Sequence, residues 1–220
     1  MISALPAQVN RSVTGAIEYL DTIIKRDPSI RSRGEAAMHP TVVAMLGYRI
    51  SHWFYQRRRY KAARALSMIA RLASGGIEIH PGATIGRRFF VDHGCGVVIG
   101  ETAVVGDDVT LFHQVTLGST GWWNDAKRGL EQRRHPRLGN GVTVGANACV
   151  LGPITIGDHA MIGAQALVIA DVPPHAVVHA PRGAVIEAGA SRSGVERLRL
   201  APRAEEEDAP ALRPAALGAK

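Results

Sequence analysis

The chain has 220 residues, of which 46% are hydrophobic and 5% aromatic, and 26 Lys and Arg against 19 Asp and Glu leave a net charge of +7. That length fits one large domain or two small ones. The basic excess suits nucleic acid or a phosphate-rich small molecule, but the arginines are scattered and no aromatic stacking platform accompanies them, so no nucleic-acid partner is expected. Two cysteines, Cys95 and Cys149, make neither a disulfide framework nor a zinc-type spacing. No apolar run is long enough to span a membrane and the N-terminus has no basic-then-apolar leader, so a cytoplasmic location is expected.

Residues 1–75 read as a helical segment. Met1 to Leu20 looks like a partly ordered lead-in. Helical spacing at Ala16, Ile17, Tyr19, Leu20, Ile23 and Ile24 ends at Asp27-Pro28, because the residue before a proline avoids the α region. Val42, Val43, Leu46, Ile50, Trp53 and Phe54 predict another helix. Residues 56–61 are a basic break, read as a solvated face. A further helix is expected from about Ala62 to Leu72, closed by Ser74-Gly75-Gly76.

From residue 76 a six-residue beat takes over. Aliphatic residues fall at Ile79, Ile85 and Val91, then, after a shift of eight, at Ile99, Val105, Leu111 and Leu117. The beat resumes at Leu138 and runs through Val144, Val150, Ile156, Ile162 and Val168. Glycine often follows the aliphatic, as at Gly86, Gly100 and Gly106, which suits a corner needing positive φ or a close backbone approach. A short fixed period of this kind predicts a solenoid: six residues make one short strand and one turn, and three such units make a triangular coil. The β-helix is expected over 76–188, with a loop extruded at 119–136 that carries Trp122 and Trp123. Val172-Pro173-Pro174-His175 is expected to end the prism, since prolines interrupt a strand ladder. Residues 189–220 read as a disordered tail rich in Ala, Arg, Glu and Pro.

The residues that break the beat are the candidates for chemistry. Asp92 and His93 sit at the phase shift, where a bulge re-aims side chains. Glu78 lies one to three coil units earlier, within lateral reach of His93 if adjacent coils stack at strand spacing. A histidine oriented by a carboxylate is the arrangement that deprotonates a hydroxyl; the alternative is a structural pair. Arg134 and His135 close the extruded loop, and arginine is the natural fork for a carboxylate, unless the pair only anchors the loop. Cys95 reads as a small inward residue rather than a nucleophile. His80, His93, His113 and His135 are spread singly, so no metal site is expected.

Arg26-Asp27-Pro28, residues 48–53 (YRISHW), residues 76–83 (GIEIHPGA), Val91-Asp92-His93, residues 97–109 (VVIGETAVVGDDV), residues 115–118 (VTLG), Arg134-His135-Pro136 and Val172-Pro173-Pro174-His175 together resemble the serine O-acetyltransferase family of hexapeptide-repeat acyltransferases. The resemblance covers about Asp27 to His175. It implies a mainly β fold, a left-handed parallel β-helix behind a short helical segment, assembled as a homotrimer with sites between adjacent prisms. It implies acetyl transfer from acetyl-CoA to the hydroxyl of L-serine, the entry to cysteine synthesis. On this resemblance His93 is the general base, Glu78 falls where an aspartate orients that base, and His135 is a second active-site histidine. Asp27 and Asp92 would hold the substrate amino group and Arg134 its carboxylate. Coenzyme A would lie against Thr120, Gly145, Ala146, Gly163 and Ala164. The sequence departs from the family in having Glu at Glu78, a longer 119–133 loop and a short helical segment, which favours a trimer over a hexamer. It also ends without the family's terminal isoleucine, so no complex with O-acetylserine sulfhydrylase is expected. Another hydroxyl acceptor (homoserine, a serine-like amino acid, a sugar or a drug) and a non-enzymatic solenoid are the alternative readings.

Overall fold

The computed structural model describes residues 7–125, 127, 129, 132–181 and 183. Helix α1 spans Ala7–Arg26, α2 Arg33–Ala37, α3 Pro40–Gln56 and α4 Tyr60–Ala73. The lead-in expected to be partly ordered is therefore helical from Ala7. Helix α1 stops where Asp27-Pro28 predicts, and Asp27 N–H closes its last turn on Ile23 O at 2.9 Å. Ser32 caps α2 by accepting the Glu35 N–H.

Fourteen short strands follow among the described residues, all parallel, in three sheets. The first sheet stacks Glu78–Ile79, Val98–Ile99, Thr116–Gly118, Cys149–Leu151 and Leu167–Val168. The second stacks Thr84–Ile85, Val104–Val105, Arg137–Leu138 and Thr155–Ile156. The third stacks Phe90–Val91, Thr110–Leu111, Thr143–Val144, Met161–Ile162 and Val177–Val178. Successive strands in the chain visit successive sheets, which makes a triangular prism, a left-handed parallel β-helix. The register puts each aliphatic of the six-residue beat on its counterpart one coil on: Ile79 on Ile99, Ile99 on Leu117, Val91 on Leu111, Leu111 on Val144. All of these are buried, so the prism is filled by aliphatic columns.

The glycines after the aliphatics are there for close approach, not for positive φ. A Cβ on Gly106 would stand 2.7 Å from Gly139 C, so two backbones touch at that corner. The positive-φ corner positions are instead taken by Arg88, Asp108, His159 and His175 on one edge and by Gln114, Asn147 and Gln165 on another. Beyond the first coil, their N–H groups bond the previous coil, for example His159 to Asn140 O at 2.8 Å. These bonds offset the cost of the left-handed conformation.

The prism does not end at the prolines. Val172 bridges Ile156, and Val177–Val178 pairs with Met161–Ile162. Pro173 and Pro174 sit at a corner, where no ladder N–H is required, and the next N–H, of His175, reaches Asp158 O at 2.9 Å. The tail expected at 189–220 lies outside the described residues.

The helices are sewn to the start of the prism. Tyr48 O–H donates to Ala83 O at 2.7 Å, and Thr41 Oγ1–H to Val91 O at 2.7 Å. Helices α3 and α4 cross so closely that a Cβ on Gly47 would overlap Ala70. Ile23 of α1 and Ala36 of α2 bury against Phe90. Arg26 then reaches the second–third edge, donating to Arg88 O at 2.7 Å and to Asp108 O at 3.1 Å.

Candidate active site

The candidate residues gather on two different edges of the prism. The edge between the third and first sheets carries Asp92 and His93, which follow the strand Phe90–Val91. His93 has φ of 53°, and that left-handed turn throws its ring outward, 77% exposed. Its Nε2 lies 3.5 Å from Asp92 Oδ1, and its ring stands edge-on to His113, centroids 6.4 Å apart. Asp27 and His39 approach from the helices. Asp27 accepts the Ser29 N–H at 2.9 Å and the Ser29 O–H at 2.6 Å, and these bonds hold its carboxyl below the usual range, with His39 and His93 adding to the effect. Burial holds His39 below the ordinary imidazole value, against the pull of Asp27 and Asp92. Two carboxylates and an exposed imidazole thus share one patch, which can read an ammonium group and take a proton beside it.

The same edge continues past this patch. Asp92 N–H bonds Leu111 O, Phe112 N–H bonds Val144 O, Gly145 N–H bonds Ile162 O, and Gly163 N–H bonds Val178 O. Asp92, Phe112, Gly145 and Gly163 are therefore successive rungs, about 4.8 Å apart. Ala146 and Ala164 follow on the same rungs, and Gln165 N–H reaches Ala146 O at 2.8 Å. A Cβ on Gly145 would lie 2.6 Å from Ala164 N, so this stretch is lined by backbone and methyl groups only. Thr120 is elsewhere: it follows the first sheet, beside Gly152, whose added Cβ would be 3.0 Å from Thr120 Cγ2.

The edge between the first and second sheets holds Arg134 and His135. Arg134 borders a cavity of about 690 Å³ lined in part by Tyr55, Arg64, His80, Glu101 and Asp125. Glu101 is its hub. One oxygen accepts the Tyr55 O–H at 2.8 Å and the other pairs with Arg134. Burial works against ionisation of Glu101, but the Tyr55 bond, His80 and Arg134 hold its carboxyl below the usual range. Burial and the Glu101 bond push Tyr55 up to about 12. His80 Nδ1 accepts the Gly82 N–H at 3.0 Å, and its ring stands edge-on to Tyr55. His135 is 9% exposed and packs where a side chain on Gly100 would otherwise sit. Burial and Arg134 lower its pKa.

Glu78 does not meet His93 within the chain. The last turn of α4 brings Arg71 over the first sheet, and Arg71 takes the Glu78 carboxylate at 2.9 Å. The carboxylate beside His93 is its neighbour Asp92. Four residues absent from the sequence reading belong to these clusters: His39, Tyr55, Glu101 and Thr102. Glu101 and Thr102 lie inside residues 97–109, so that motif was their only signal; the contacts of His39 and Tyr55 cross between elements and leave no local one. Among the described residues, no three His, Cys, Asp or Glu side chains gather as a metal site, and no helix is long and apolar enough to cross a membrane.

Residues 135–170 match the family model described as bacterial transferase hexapeptide (six repeats). A serine acetyltransferase of Helicobacter pylori (strain ATCC 700392 / 26695) is 51% identical over 155 residues, covering 70% of this chain and 86% of the relative. The crystal structure of the serine acetyltransferase from Vibrio cholerae O1 biovar El Tor N16961 superposes with a TM-score of 0.67 at 35% identity; it covers 76% of this chain, which spans 62% of the Vibrio chain. A Neisseria gonorrhoeae serine acetyltransferase (CysE), solved in complex with serine, gives a TM-score of 0.67 at 35% identity, covering 80% of this chain and 68% of its own.

Proposed function

The chain belongs to the serine acetyltransferase family, and from that premise we propose that it transfers an acetyl group from acetyl-CoA to the hydroxyl of L-serine, in a site shared between two copies of the chain. The observation that carries this reading is the split of the candidate residues over two edges of one prism. One edge has Asp92, His93 and, from the helical segment, Asp27; the other has Arg134, His135 and Glu101. A homotrimer that sets the third–first edge of each copy against the first–second edge of the next would unite the two halves at every interface.

The residues divide the work. Asp27 and Asp92 hold the ammonium of serine, and Arg134, steadied by Glu101, forks onto its carboxylate. His93 takes the hydroxyl proton as the oxygen attacks, and its exposed ring is free to meet a substrate from the neighbouring copy. Glu78, freed from Arg71 by the neighbouring copy, would orient that base. His135 faces the developing negative charge from the other side. The thioester supplies an acyl group that is already activated, so no covalent enzyme intermediate is required. The rungs Gly145-Ala146 and Gly163-Ala164 form a narrow strip on the His93 edge that suits a pantetheine arm, with Thr120 contributed from the opposite edge.

The test is initial-rate thiol release with acetyl-CoA and a panel of hydroxyl acceptors. L-serine should rank first, and His93→Ala should lower kcat by about 10²–10⁴-fold, the usual contribution of one general base. A faster acceptor, or wild-type rates in His93→Ala, would overturn the reading.

A further inference from the structure

His135 is held in one protonation state by a single residue. The Thr102 backbone N–H donates to His135 Nδ1 at 3.1 Å. An amide N–H can only donate, so Nδ1 must accept. Thr102 Oγ1 lies 2.9 Å from the same nitrogen. That oxygen already accepts the N–H of Arg134 at 2.8 Å and the N–H of His135 at 3.1 Å. With both lone pairs engaged, its own proton is left to point at Nδ1. The ring packs against Gly100, where an added Cβ would lie 2.1 Å from Nε2, and a turned-over ring would face the Thr102 N–H with a carbon in place of Nδ1.

We propose that Thr102 is a positioning residue that fixes His135 as a neutral imidazole carrying its proton on Nε2, so that His135 serves the acetyl transfer as a permanent hydrogen-bond donor and not as a base. The inference rests on the acetyl-transfer reading above. A proton on Nδ1 would oppose the Thr102 N–H and its hydroxyl proton at once. The surroundings of the ring agree: burial and the charges of Arg134 and His80 disfavour the imidazolium, against Glu101 and Asp125, which favour it. A donor with a fixed proton needs no reorganisation when charge develops in front of it. Thr102 also ties down the backbone of both loop residues, while the Arg134 guanidinium is held separately by Glu101.

The full-length protein labelled with ¹⁵N on histidine tests this directly, with His135→Asn assigning the signals. At neutral pH, Nδ1 of His135 should resonate as an unprotonated acceptor nitrogen and Nε2 as a protonated one. Thr102→Val should lower kcat about tenfold to a hundredfold, less than losing a whole oxyanion donor. KM for L-serine should change less than about threefold, because Glu101 still holds Arg134. Thr102→Ser should restore kcat to within about threefold and keep the wild-type nitrogen signals. A protonated Nδ1 in the wild type, an unchanged kcat in Thr102→Val, or a Thr102→Ser variant as impaired as Thr102→Val would each overturn the proposal. The wild-type spectrum decides even if Thr102→Val does not fold. It also decides if no thiol is released with L-serine, so a wrong tautomer and a wrong reaction are told apart.

Discussion

Glu101 shows how one side chain sets the character of a pocket. Its two oxygens are spent on Tyr55 and Arg134, which leaves donors lining the cavity: the guanidinium, and the ring nitrogen of His80 that is not taken by a backbone N–H. Such a surface suits a carboxylate. Replacing Glu101 by Gln removes the charge that orients Arg134. A hydrogen bond to a charged group is worth about 1.5–3 kcal/mol, so KM for L-serine should rise about tenfold or more while KM for acetyl-CoA stays put; equal rises in both would point to a general loss of structure instead. Beyond Arg134 itself, the sequence marked only the motif at residues 97–109 that contains Glu101, not the pairing. Glu101 lies 33 residues from its partner Arg134, and nothing local marks a pairing across an extruded loop. Glu78 is a related case: within one chain Arg71, on a helix, takes its carboxylate, a pairing across elements that no local spacing marks.

At the scale of elements, the aliphatic beat was read correctly because it is the register itself. Each aliphatic buries against the same position one coil away, so the period in sequence equals the period in space. At the corners, where glycine was expected for positive φ or close approach, the second reason holds: Gly86 and Gly106 have ordinary φ and are pressed against the next backbone. Gly106→Ala would push a methyl to within 2.7 Å of Gly139 C, where no flexible side chain can yield. It should destabilise by about 1–3 kcal/mol, the cost of overpacking a filled interior, seen as a lower urea midpoint. Gly15→Ala in α1, where an added Cβ meets nothing within 4 Å, should instead stabilise by about 0.5–1 kcal/mol, the helix advantage of Ala over Gly. A Gly106→Ala variant as stable as wild type would show that the corners have slack. The prolines taught the converse lesson: at a corner they cost the ladder nothing, and Val177–Val178 adds a further strand.

For the whole molecule, two properties follow from how buried groups are distributed. His39, His80 and His135 all have pKa values lowered chiefly by burial from an ordinary value of 6.5. The unfolded chain therefore binds protons that the folded chain refuses. Stability should be level above neutrality and fall as pH drops through about 6.5, before the carboxylates titrate. Glu101 adds a second loss at lower pH, since its lowered pKa favours folding only while it is ionised. Urea midpoints between pH 8 and pH 5 check the first step; midpoints independent of pH over that range would contradict it. The second property is the split site. One chain carries His93 on one edge and Arg134 on another, a division that the residue spacing does not show and that only the family resemblance implied.

Complementation between chains tests that split most directly. His93→Ala and Arg134→Ala each disable one half of every interface and should be close to inactive alone. Unfolded together in equal amounts and refolded, they should form mixed trimers in which about a quarter of the interfaces pair an intact His93 with an intact Arg134, by random assembly of a cyclic oligomer. Serine-dependent thiol release should then return to about a quarter of the wild-type rate. A mixture that refolds into trimers but stays as inactive as its parents would contradict a site shared between copies.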